Sequence, residues 1–271
     1  MSDILVKQYY ADNVRSEWRR LVKDAYHQLE FTTTLHFLDK YLPSQGRVLD
    51  AGGGPGRYTL ELAKKGYDVT LLDATVANLD FARRMLRRHG LQSRVKQITE
   101  GSIVDLLQFP SGSFDAVLCS GGPLSHILDL EDRGRAISEI VRVAKPGVPI
   151  FVSVISRFGV IIEILKHGQD EIGMPHFRQL VETGDYFSGR GFTACHFFLL
   201  EELQQAFTRS DVEILEMAGL EGISTQHVRE LNQLVKDPGR FKYWLETHLK
   251  TCTYPSVVGI SEHMLIVSRK I

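Results

Sequence analysis

Apolar residues change their spacing along this chain near residue 46, and the change predicts two kinds of structure. Before it, Trp18, Leu21 and Ala25 recur at the intervals of a helical face, so residues 1–45 are predicted to form a helical segment. Beyond it, short apolar runs alternate with helical periods through residue 155. Strands that alternate with helices predict βαβ units and a parallel sheet.

The elements of this core follow from the same pattern. Apolar runs predict strands at RVLDAG (47–52), DVTLLD (68–73), RVKQIT (94–99), FDAVLCS (114–120) and VPIFVSVI (148–155). Helical periods predict helices over 58–65, 75–88 and 131–145, the second with Val76, Leu79, Ala82 and Leu86 turned inward. The last of these strands is apolar throughout, which predicts helices on both faces of the sheet.

Beyond residue 155 the regular alternation ends. An apolar helical start leads to a glycine-rich stretch, GDYFSGRGF, and HFFLLEELQQAF then predicts a strand followed by a helix. VEILEMAGL (212–220) and SEHMLIVSRK (261–270) predict two further strands. We interpret residues 1–271 as one α/β domain whose core, 46–155, carries helical insertions over 156–192 and 222–253 at the ligand-facing rim of the sheet.

Composition narrows the classes of function. The 271 residues carry a net charge of −1, so no charge-driven affinity for nucleic acid or acidic membranes is expected. Cys119, Cys195 and Cys252 form no C-x-x-C pair, which argues against a zinc site, an iron–sulfur cluster and a disulfide framework. The pattern shows neither a secretory signal nor a membrane-spanning apolar run. We therefore expect a soluble, cytoplasmic protein that needs no metal.

The stretch RVLDAGGGPGR (47–57) is the strongest chemical signal. It places a glycine-rich turn between a strand and a helix, where doubly wound sheets bind nucleotide-like ligands and free N–H groups favour an anionic group. The spacing D-x-G-x-G-x-G is not a dinucleotide fingerprint, because Arg57 stands where the third glycine belongs, and no G-K-[ST] of a phosphate loop follows. Asp73 ends the next strand, where an acid can accept both hydroxyls of a ribose and can also cap the following helix.

Together these features resemble a class I S-adenosylmethionine-dependent methyltransferase. D-A-G-G-G-P-G-R, Asp73, F-D-A-V-L-C-S and R-V-A-K-P-G-V-P occur in the order and at the separations of that superfamily. Within it, the chain is similar to the methyltransferase type 11, ubiquinone-biosynthesis-like group, over about residues 46–155. The resemblance implies a Rossmann-like sheet of seven strands, mainly parallel with an antiparallel last strand. It also implies S-adenosyl-L-methionine as cofactor, with S-adenosyl-L-homocysteine as product.

The resemblance assigns roles to single positions. Asp50 would order the loop, Asp73 would hold the ribose hydroxyls and Ala74 would pack beside the adenine. Many relatives carry an aspartate where Ser102 stands, so a serine hydroxyl or the backbone would serve there instead. The implied cofactor-binding set is Asp50, Ala51, Gly52, Gly53, Gly54, Gly56, Asp73, Ala74, Ser102, Ile103, Cys119, Ser120 and Gly121.

The sequence indicates the residues that would contact the methyl acceptor less clearly than those that would bind the cofactor. His126 follows the fourth strand, and as a general base it would suit a hydroxyl or amine acceptor. A packing or capping role is its alternative. Further candidates at the substrate rim, each with a structural role as the alternative, are Tyr9, Tyr10, Glu30, His176, Tyr186 and His196. Cys119 has no basic neighbour in sequence and is expected to be an inert thiol.

The sequence therefore predicts an enzyme that transfers a methyl group to an O, N, S or C atom of a small molecule, as a monomer or homodimer. Three alternatives stay open. An RNA or protein methyltransferase would need a basic rim, and a non-catalytic protein would bind S-adenosylmethionine without turnover. A nicotinamide-dependent oxidoreductase is the alternative that the glycine spacing favours least.

Overall fold

A seven-stranded sheet forms the centre of the protein. The computed structural model describes residues 2–187 and 192–271. Its strands are β1 Arg47–Ala51, β2 Asp68–Asp73, β3 Val95–Glu100, β4 Ala116–Cys119, β5 Pro149–Ile155, β6 Asp185–Tyr186, β7 Cys195–His196, β8 Val212–Gly219 and β9 His263–Lys270. In the large sheet the order is β3-β2-β1-β4-β5-β9-β8, and β6 and β7 form a separate pair.

The strand pairing confirms the predicted architecture. Neighbouring strands from β3 through β5 are parallel, whereas β9 runs antiparallel to both β5 and β8. The direction of strand order reverses between β1 and β4, because the chain first builds outward to β3 and then returns past β1. Ligands of doubly wound sheets bind at the carboxyl ends of the strands beside such a reversal.

Helices cover both faces of the sheet, as the apolar β5 predicts. All seven residues of β5 are buried. The helices are α1 Ser2–Arg20, α2 Ala25–Tyr41, α3 Arg57–Lys64, α4 Val76–Arg88, α5 Leu130–Val143, α6 Arg157–His167, α7 Pro175–Thr183, α8 Leu200–Thr208, α9 Val228–Leu234, α10 Pro238–Thr251 and α11 Pro255–Ile260. One hydrophobic core packs α5 and α8 against the sheet, and a second packs α2 and α3 against it.

For one residue of α4, the predicted inward orientation is wrong. Leu79, Ala82 and Leu86 are buried as expected, but Val76 is 49% exposed. Val76 is the first residue of a helix that begins beyond the carboxyl edge of the sheet, so no strand lies beneath it. The polar residue Asn78 occupies the inward position instead and is buried.

The predicted N-terminal helical segment consists of two helices. A short turn divides α1 from α2, and the carboxylate of Asp24 caps α2 by accepting the backbone N–H of His27. The Arg57 guanidinium lies 3.7 Å from the centre of the Trp18 ring, and it also donates a hydrogen bond to the Trp18 carbonyl. These contacts hold α1 at the start of α3, directly after the glycine-rich loop.

The region 156–192 adds α6, α7 and β6 beside the carboxyl edge of the sheet. The strand predicted before α8 is only the pair Cys195–His196, which joins β6 and not the large sheet. Its neighbour Phe198 donates its N–H to the carbonyl of Ile155, which ties this segment to the end of β5. Part of the glycine-rich stretch, residues 188–191, lies outside the described residues.

The region 222–253 packs against α2. Leu231 of α9 forms a small hydrophobic cluster with Tyr26 and Leu29 of α2. The side chain of Asn232 also accepts the backbone N–H of Ala25 at 2.9 Å. Whether this region contributes to the substrate rim stays a prediction. Among the described residues, no helix combines the length and the apolar character that crossing a membrane would require.

Candidate active site

The glycine-rich loop turns sharply because its backbone bonds to the neighbouring strand. The N–H groups of Gly52 and Gly53 both donate to the carbonyl of Leu72, at 2.7 and 3.1 Å. Gly52 has φ +75°, and a Cβ atom there would come within 2.6 Å of Pro123. A glycine at this position therefore serves the turn and the close packing of the segment after β4.

The N–H groups of the loop glycines are used within the protein, and whether free N–H groups at the start of α3 hold an anionic group stays a prediction. The N–H of Gly54 donates to Oδ2 of Asp73 at 2.8 Å, and that of Gly56 donates to the carbonyl of Gly53 at 3.0 Å. With those of Gly52 and Gly53 also used, all four glycine donors of the loop are satisfied by the protein itself. The loop is a tightly held turn and lacks the row of open donors with which a phosphate loop binds an anion.

Asp50 lies beneath the loop and is fully buried. The Thr59 hydroxyl donates to its Oδ2 at 2.6 Å, while Oδ1 has no hydrogen-bond partner. Burial raises the pKa of Asp50 to about 6, because removing the carboxylate from water outweighs the Thr59 hydrogen bond. Its placement connects α3 to the floor of the loop.

Asp73 joins three neighbouring segments at the end of β2. Its Oδ1 accepts the N–H of Thr75 at 2.9 Å and the side-chain amide of Asn78 at 3.1 Å, while Oδ2 accepts Gly54. Burial raises the pKa of Asp73 above its usual value, and these hydrogen bonds oppose the rise. Asp73 thus contacts the residues at the start of α4, although the N-cap position itself is Thr75, and it also faces the cavity above the loop.

A first cavity of about 250 Å³ opens above the loop, and we call it the loop cavity. Eleven of the predicted site residues line it: Tyr10, Gly52, Gly53, Gly54, Asp73, Ala74, Ser102, Ile103, Ser120, Gly121 and His126. Asp50, Ala51, Gly56 and Cys119 are not among its lining residues. Cys119 is fully buried and burial raises the pKa of its thiol, in agreement with the expected inert role.

Several residues that line the loop cavity carry a buried polar atom without a hydrogen-bond partner, including Asn78 at Oδ1 and Ser120 at Oγ. Asn78 is 2% exposed and Ser120 is 5% exposed. Unpaired buried polar atoms are costly, so they indicate a polar ligand in this cavity. Sequence reasoning missed Asn78, because its position in α4 looks like a solvent-facing one until the helix is placed.

A second cavity of about 470 Å³, which we call the rim cavity, lies beside the first. Four of the predicted rim residues, Tyr9, Tyr10, Glu30 and Tyr186, line it. His176 and His196 do not. His176 contacts Glu171 at 2.9 Å, and the two ring nitrogens of His196 lie 2.6 Å from Asp185 and Glu202, so both imidazoles serve local packing contacts.

The two cavities adjoin. Tyr10, Glu17, Arg20 and Gly121 line both of them. The first three belong to α1, which therefore covers the junction, and Gly121 lies directly after β4. Gly121 is held there by the hydrogen bond from its N–H to Ser153 Oγ at 2.8 Å.

His126 lies at this junction and pairs with Tyr10. The Tyr10 hydroxyl oxygen is 2.7 Å from Nε2 of His126, and Nδ1 is 3.0 Å from the carbonyl of Ala194. A carbonyl can only accept, so Nδ1 carries the proton and Nε2 accepts from Tyr10 when the ring is neutral. Burial lowers the pKa of His126 and favours this neutral form.

A buried charged network forms one wall of the rim cavity. The Arg20 guanidinium pairs with both carboxylate oxygens of Glu30, and Nδ1 of His263 contacts Oε1 of Glu221 at 2.8 Å. Burial opposes the charge on His263, but the nearby carboxylates of Glu30 and Glu221 raise its pKa to about 10. Sequence reasoning found Glu30 alone, since Arg20 lies across the turn between α1 and α2, and Glu221 and His263 lie far along the chain.

Three members of this network could in principle hold a cation. One ligand atom each from Glu30, Glu221 and His263 lies within 4.8 Å of the others. Arg20 already neutralises Glu30 through both oxygens, however, and Glu221 is bonded to His263 and to Ser261. The candidate ligand atoms are therefore already paired with neighbouring side chains. The expectation that the protein needs no metal stays a prediction.

Comparison with known proteins agrees with this geometry. Residues 48–147 match the protein family described as "Methyltransferase domain". The Ubiquinone biosynthesis O-methyltransferase of Hahella chejuensis is 36% identical over 125 residues, which cover 45% of this chain and 49% of that relative. The chain thus spans about half the length of the curated relatives it matches.

Solved structures share the whole fold. A SAM-dependent methyltransferase from Methanosarcina mazei superposes with a TM-score of 0.61 at 22% identity, covering 87% of this chain and 97% of that one. The [4+2]-cyclase SpnF superposes with a TM-score of 0.57 at 21% identity, covering 89% and 81%. At these identities the likeness shows the fold alone, and the second protein is named for a cyclisation.

Residues 48–147 thus match a methyltransferase domain, and the order of the seven strands agrees with the sheet that the sequence resemblance implied. The resemblance found in the sequence is confirmed at this level.

Proposed function

We propose that the protein transfers a methyl group from S-adenosylmethionine to a hydroxyl group of a small molecule. The observation that carries this proposal is the junction of the loop cavity with the rim cavity at Tyr10 and Gly121. A cofactor in the first cavity and an acceptor in the second would meet there. Methyl transfer needs such a meeting point, because the attacking atom must approach the methyl carbon in line.

The residues of the loop cavity fit the cofactor. Asp73, at the end of β2, would hold the ribose hydroxyls, and Asn78 Oδ1 offers a second acceptor 5 residues along α4. Ala74, Ser102 and Ile103 would surround the adenine, while Gly52 to Gly54 would lie along the methionine part. Bound there, S-adenosylmethionine would supply an electrophilic methyl group on a sulfonium centre.

The rim cavity fits a small acceptor better than a macromolecule. At about 470 Å³ it has the size of an ordinary small-molecule site, and α1, α6 and α7 surround it. Its lining combines apolar side chains, such as Ile155 and Leu180, with the buried carboxylate of Glu30. An RNA or protein substrate would need an open surface that reaches Gly121, and α1 covers that approach.

A hydroxyl acceptor is favoured by two observations. Several of the curated relatives that match part of this chain are named Ubiquinone biosynthesis O-methyltransferase. The neutral ring of His126 leaves Nε2 unprotonated, and this atom is hydrogen-bonded to Tyr10, which lines both cavities, so a base lies within reach of a hydroxyl proton at the junction. The protein would further contribute by positioning the acceptor and by excluding water from the junction.

A labelled-methyl assay tests this proposal. The protein is incubated with S-adenosylmethionine that carries a deuterated methyl group, together with panels of small phenols and alcohols, small amines, RNA and protein. Mass spectrometry is expected to find the label on a hydroxyl compound. Label on RNA or protein would establish the macromolecular alternative. Cofactor binding without label on any acceptor would establish the non-catalytic one, and hydride transfer from NADH would overturn the assignment.

A further inference from the structure

We propose that Tyr10 is the residue that contacts the acceptor hydroxyl and passes its proton on to His126. This inference rests on the proposed function and adds to it which side chain faces the acceptor. His126 lines the loop cavity and is absent from the lining of the rim cavity, whereas Tyr10 lines both. An acceptor in the rim cavity therefore meets the Tyr10 hydroxyl and not the imidazole.

The hydrogen bonds fix the direction of the proton. Because Ala194 fixes the proton on Nδ1, the only open acceptor on the ring is Nε2, and the Tyr10 hydroxyl occupies it at 2.7 Å. The tyrosine oxygen keeps a lone pair with which it can accept a proton from the acceptor. Tyr10 and His126 thus form a short chain from the rim cavity to a buried base.

Aromatic packing keeps this chain in place. The rings of Tyr10 and His126 meet edge to face with centres 5.3 Å apart. The Phe192 ring packs against His126 with centres 5.7 Å apart, and Tyr9 packs against Tyr10 at 5.4 Å. The imidazole is 8% exposed, so bulk water has little access to Nε2 and Tyr10 is its route to the acceptor.

The transfer balances in atoms and charge. The acceptor oxygen forms a bond to the methyl carbon, and the bond from that carbon to sulfur breaks with its electron pair moving to sulfur. The acceptor proton moves to the Tyr10 oxygen while the Tyr10 proton moves to Nε2 of His126. The products are a methyl ether, a neutral thioether and an imidazolium whose Nδ1–H still donates to Ala194, and the imidazolium later releases one proton to solvent.

Charged and titratable groups face this pair from two elements. Glu17 of α1 favours a positive charge on His126, while Glu17, Tyr9 and Cys195 of β7 oppose a negative charge on Tyr10 and Arg20 favours it. Burial raises the pKa of Tyr10 well above its usual value and lowers that of His126. Tyr10 therefore never needs to exist as a free phenolate, because it gives up its proton as it accepts another.

The test compares Tyr10→Phe, His126→Gln and the double variant with catechol as the hydroxyl probe. Each single change is expected to lower kcat about 100-fold, and the double variant to lower it no further, since the two side chains act as one unit. In wild type kcat is expected to fall at acidic pH as His126 becomes protonated, and this fall is expected to disappear in His126→Gln. Tyr243→Phe, on the exposed side of α10, is the matched tyrosine control and leaves kcat unchanged.

Two readouts besides activity accompany the rates. S-adenosylhomocysteine is expected to bind all variants within about threefold of wild type by calorimetry, which would show that the loop cavity is intact. In nitrogen NMR spectra of the complex we expect Nδ1 of His126 to be protonated in wild type, and the Nε2 signal to shift in Tyr10→Phe because its hydrogen-bond donor is gone.

Each of three outcomes would overturn the proposed relay from Tyr10 to His126. Full activity in Tyr10→Phe combined with loss in His126→Gln would overturn the relay and make His126 the direct base. Losses that multiply in the double variant would show two independent roles and overturn it as well. Failure of wild type to methylate any hydroxyl compound would instead overturn the proposed function, and the relay with it.

Discussion

Gly53 lies directly over the carboxylate of Asp50. A Cβ atom at position 53 would come within 2.5 Å of Cγ of Asp50, which is itself fully buried. The need for glycine here is one of space, since the backbone of Gly53 does not adopt a left-handed conformation. The loop and the acid beneath it thus form one packed unit.

Substitution of Gly53 by alanine is expected to strain this unit. Gly53→Ala should lower the free energy of unfolding by about 1–3 kcal/mol, as overpacking does, and should weaken binding of S-adenosylhomocysteine. Gly134→Ala is the matched control, because Gly134 lies within α5 with no atom within 4 Å of its added Cβ. That change should stabilise by about 0.5–1 kcal/mol. Urea unfolding measures the free energy of unfolding of both variants. Equal changes for Gly53→Ala and Gly134→Ala would contradict the close packing of Gly53 on Asp50.

Asp50 gives the protein a specific pH dependence of stability. Its pKa is about 6 in the folded protein against 3.8 for an ordinary aspartate, so the folded state binds more protons between these values. The free energy of unfolding therefore falls as the pH rises from about 4 to 6, by up to roughly 3 kcal/mol from this residue.

The variant Asp50→Asn removes the titrating carboxyl group and so isolates the contribution of Asp50 to the pH dependence of stability. Urea unfolding of both proteins at pH 4.5 and pH 7 should show the variant gaining on wild type as the pH rises, because wild type alone must bury a carboxylate at pH 7. A difference between the two proteins that does not change with pH would contradict the raised pKa.

The Arg20–Glu30 pair is expected to stabilise the wall of the rim cavity. Glu30 is 2% exposed, and burial alone would raise its pKa, but Arg20 and His263 lower it instead. Glu30→Ala should lower the free energy of unfolding by about 3 kcal/mol, because the partly buried charge of Arg20 would then keep Glu17 as its remaining ion-pair partner.

Asp80→Ala is the control for this pair. It removes an exposed ion pair with Arg83 on α4 and should cost less than about 1 kcal/mol. Thermal or urea unfolding compares the two variants. A loss for Glu30→Ala as small as that for Asp80→Ala would show that the buried network is not a stabilising feature.

The fold was predictable because its elements are short, regular and separated by clear turns. The prediction for β2 matches the observed strand residue for residue, since DVTLLD is bounded by Gly66 on one side and by the acid at its end. The predictions failed where position in the fold overrides pattern. Val76 is apolar yet exposed, because α4 starts beyond the sheet edge, and Cys195–His196 pairs outside the main sheet.

The candidate site was predictable only in part, for a similar reason. The loop cavity is built from segments that directly follow strands, so each could be found by its place after a strand. The rim cavity is built from α1, α6 and the start of β9, which meet only in the folded chain. Nothing in the sequence near Glu30 points to Arg20 and His263 as its partners, and nothing near His126 points to Tyr10.

Binding of S-adenosylhomocysteine, followed by calorimetry, shows whether the loop cavity binds S-adenosylmethionine through Asp73. Glu100→Ala is the matched control, because Glu100 pairs with Asp73 in register at the end of β3 but does not line the cavity. We predict binding at one site by wild type and by Glu100→Ala, and binding at least tenfold weaker, about 1.4 kcal/mol, by folded Asp73→Ala. No binding by wild type, equal binding by both variants, or a preference for NADH would contradict the account.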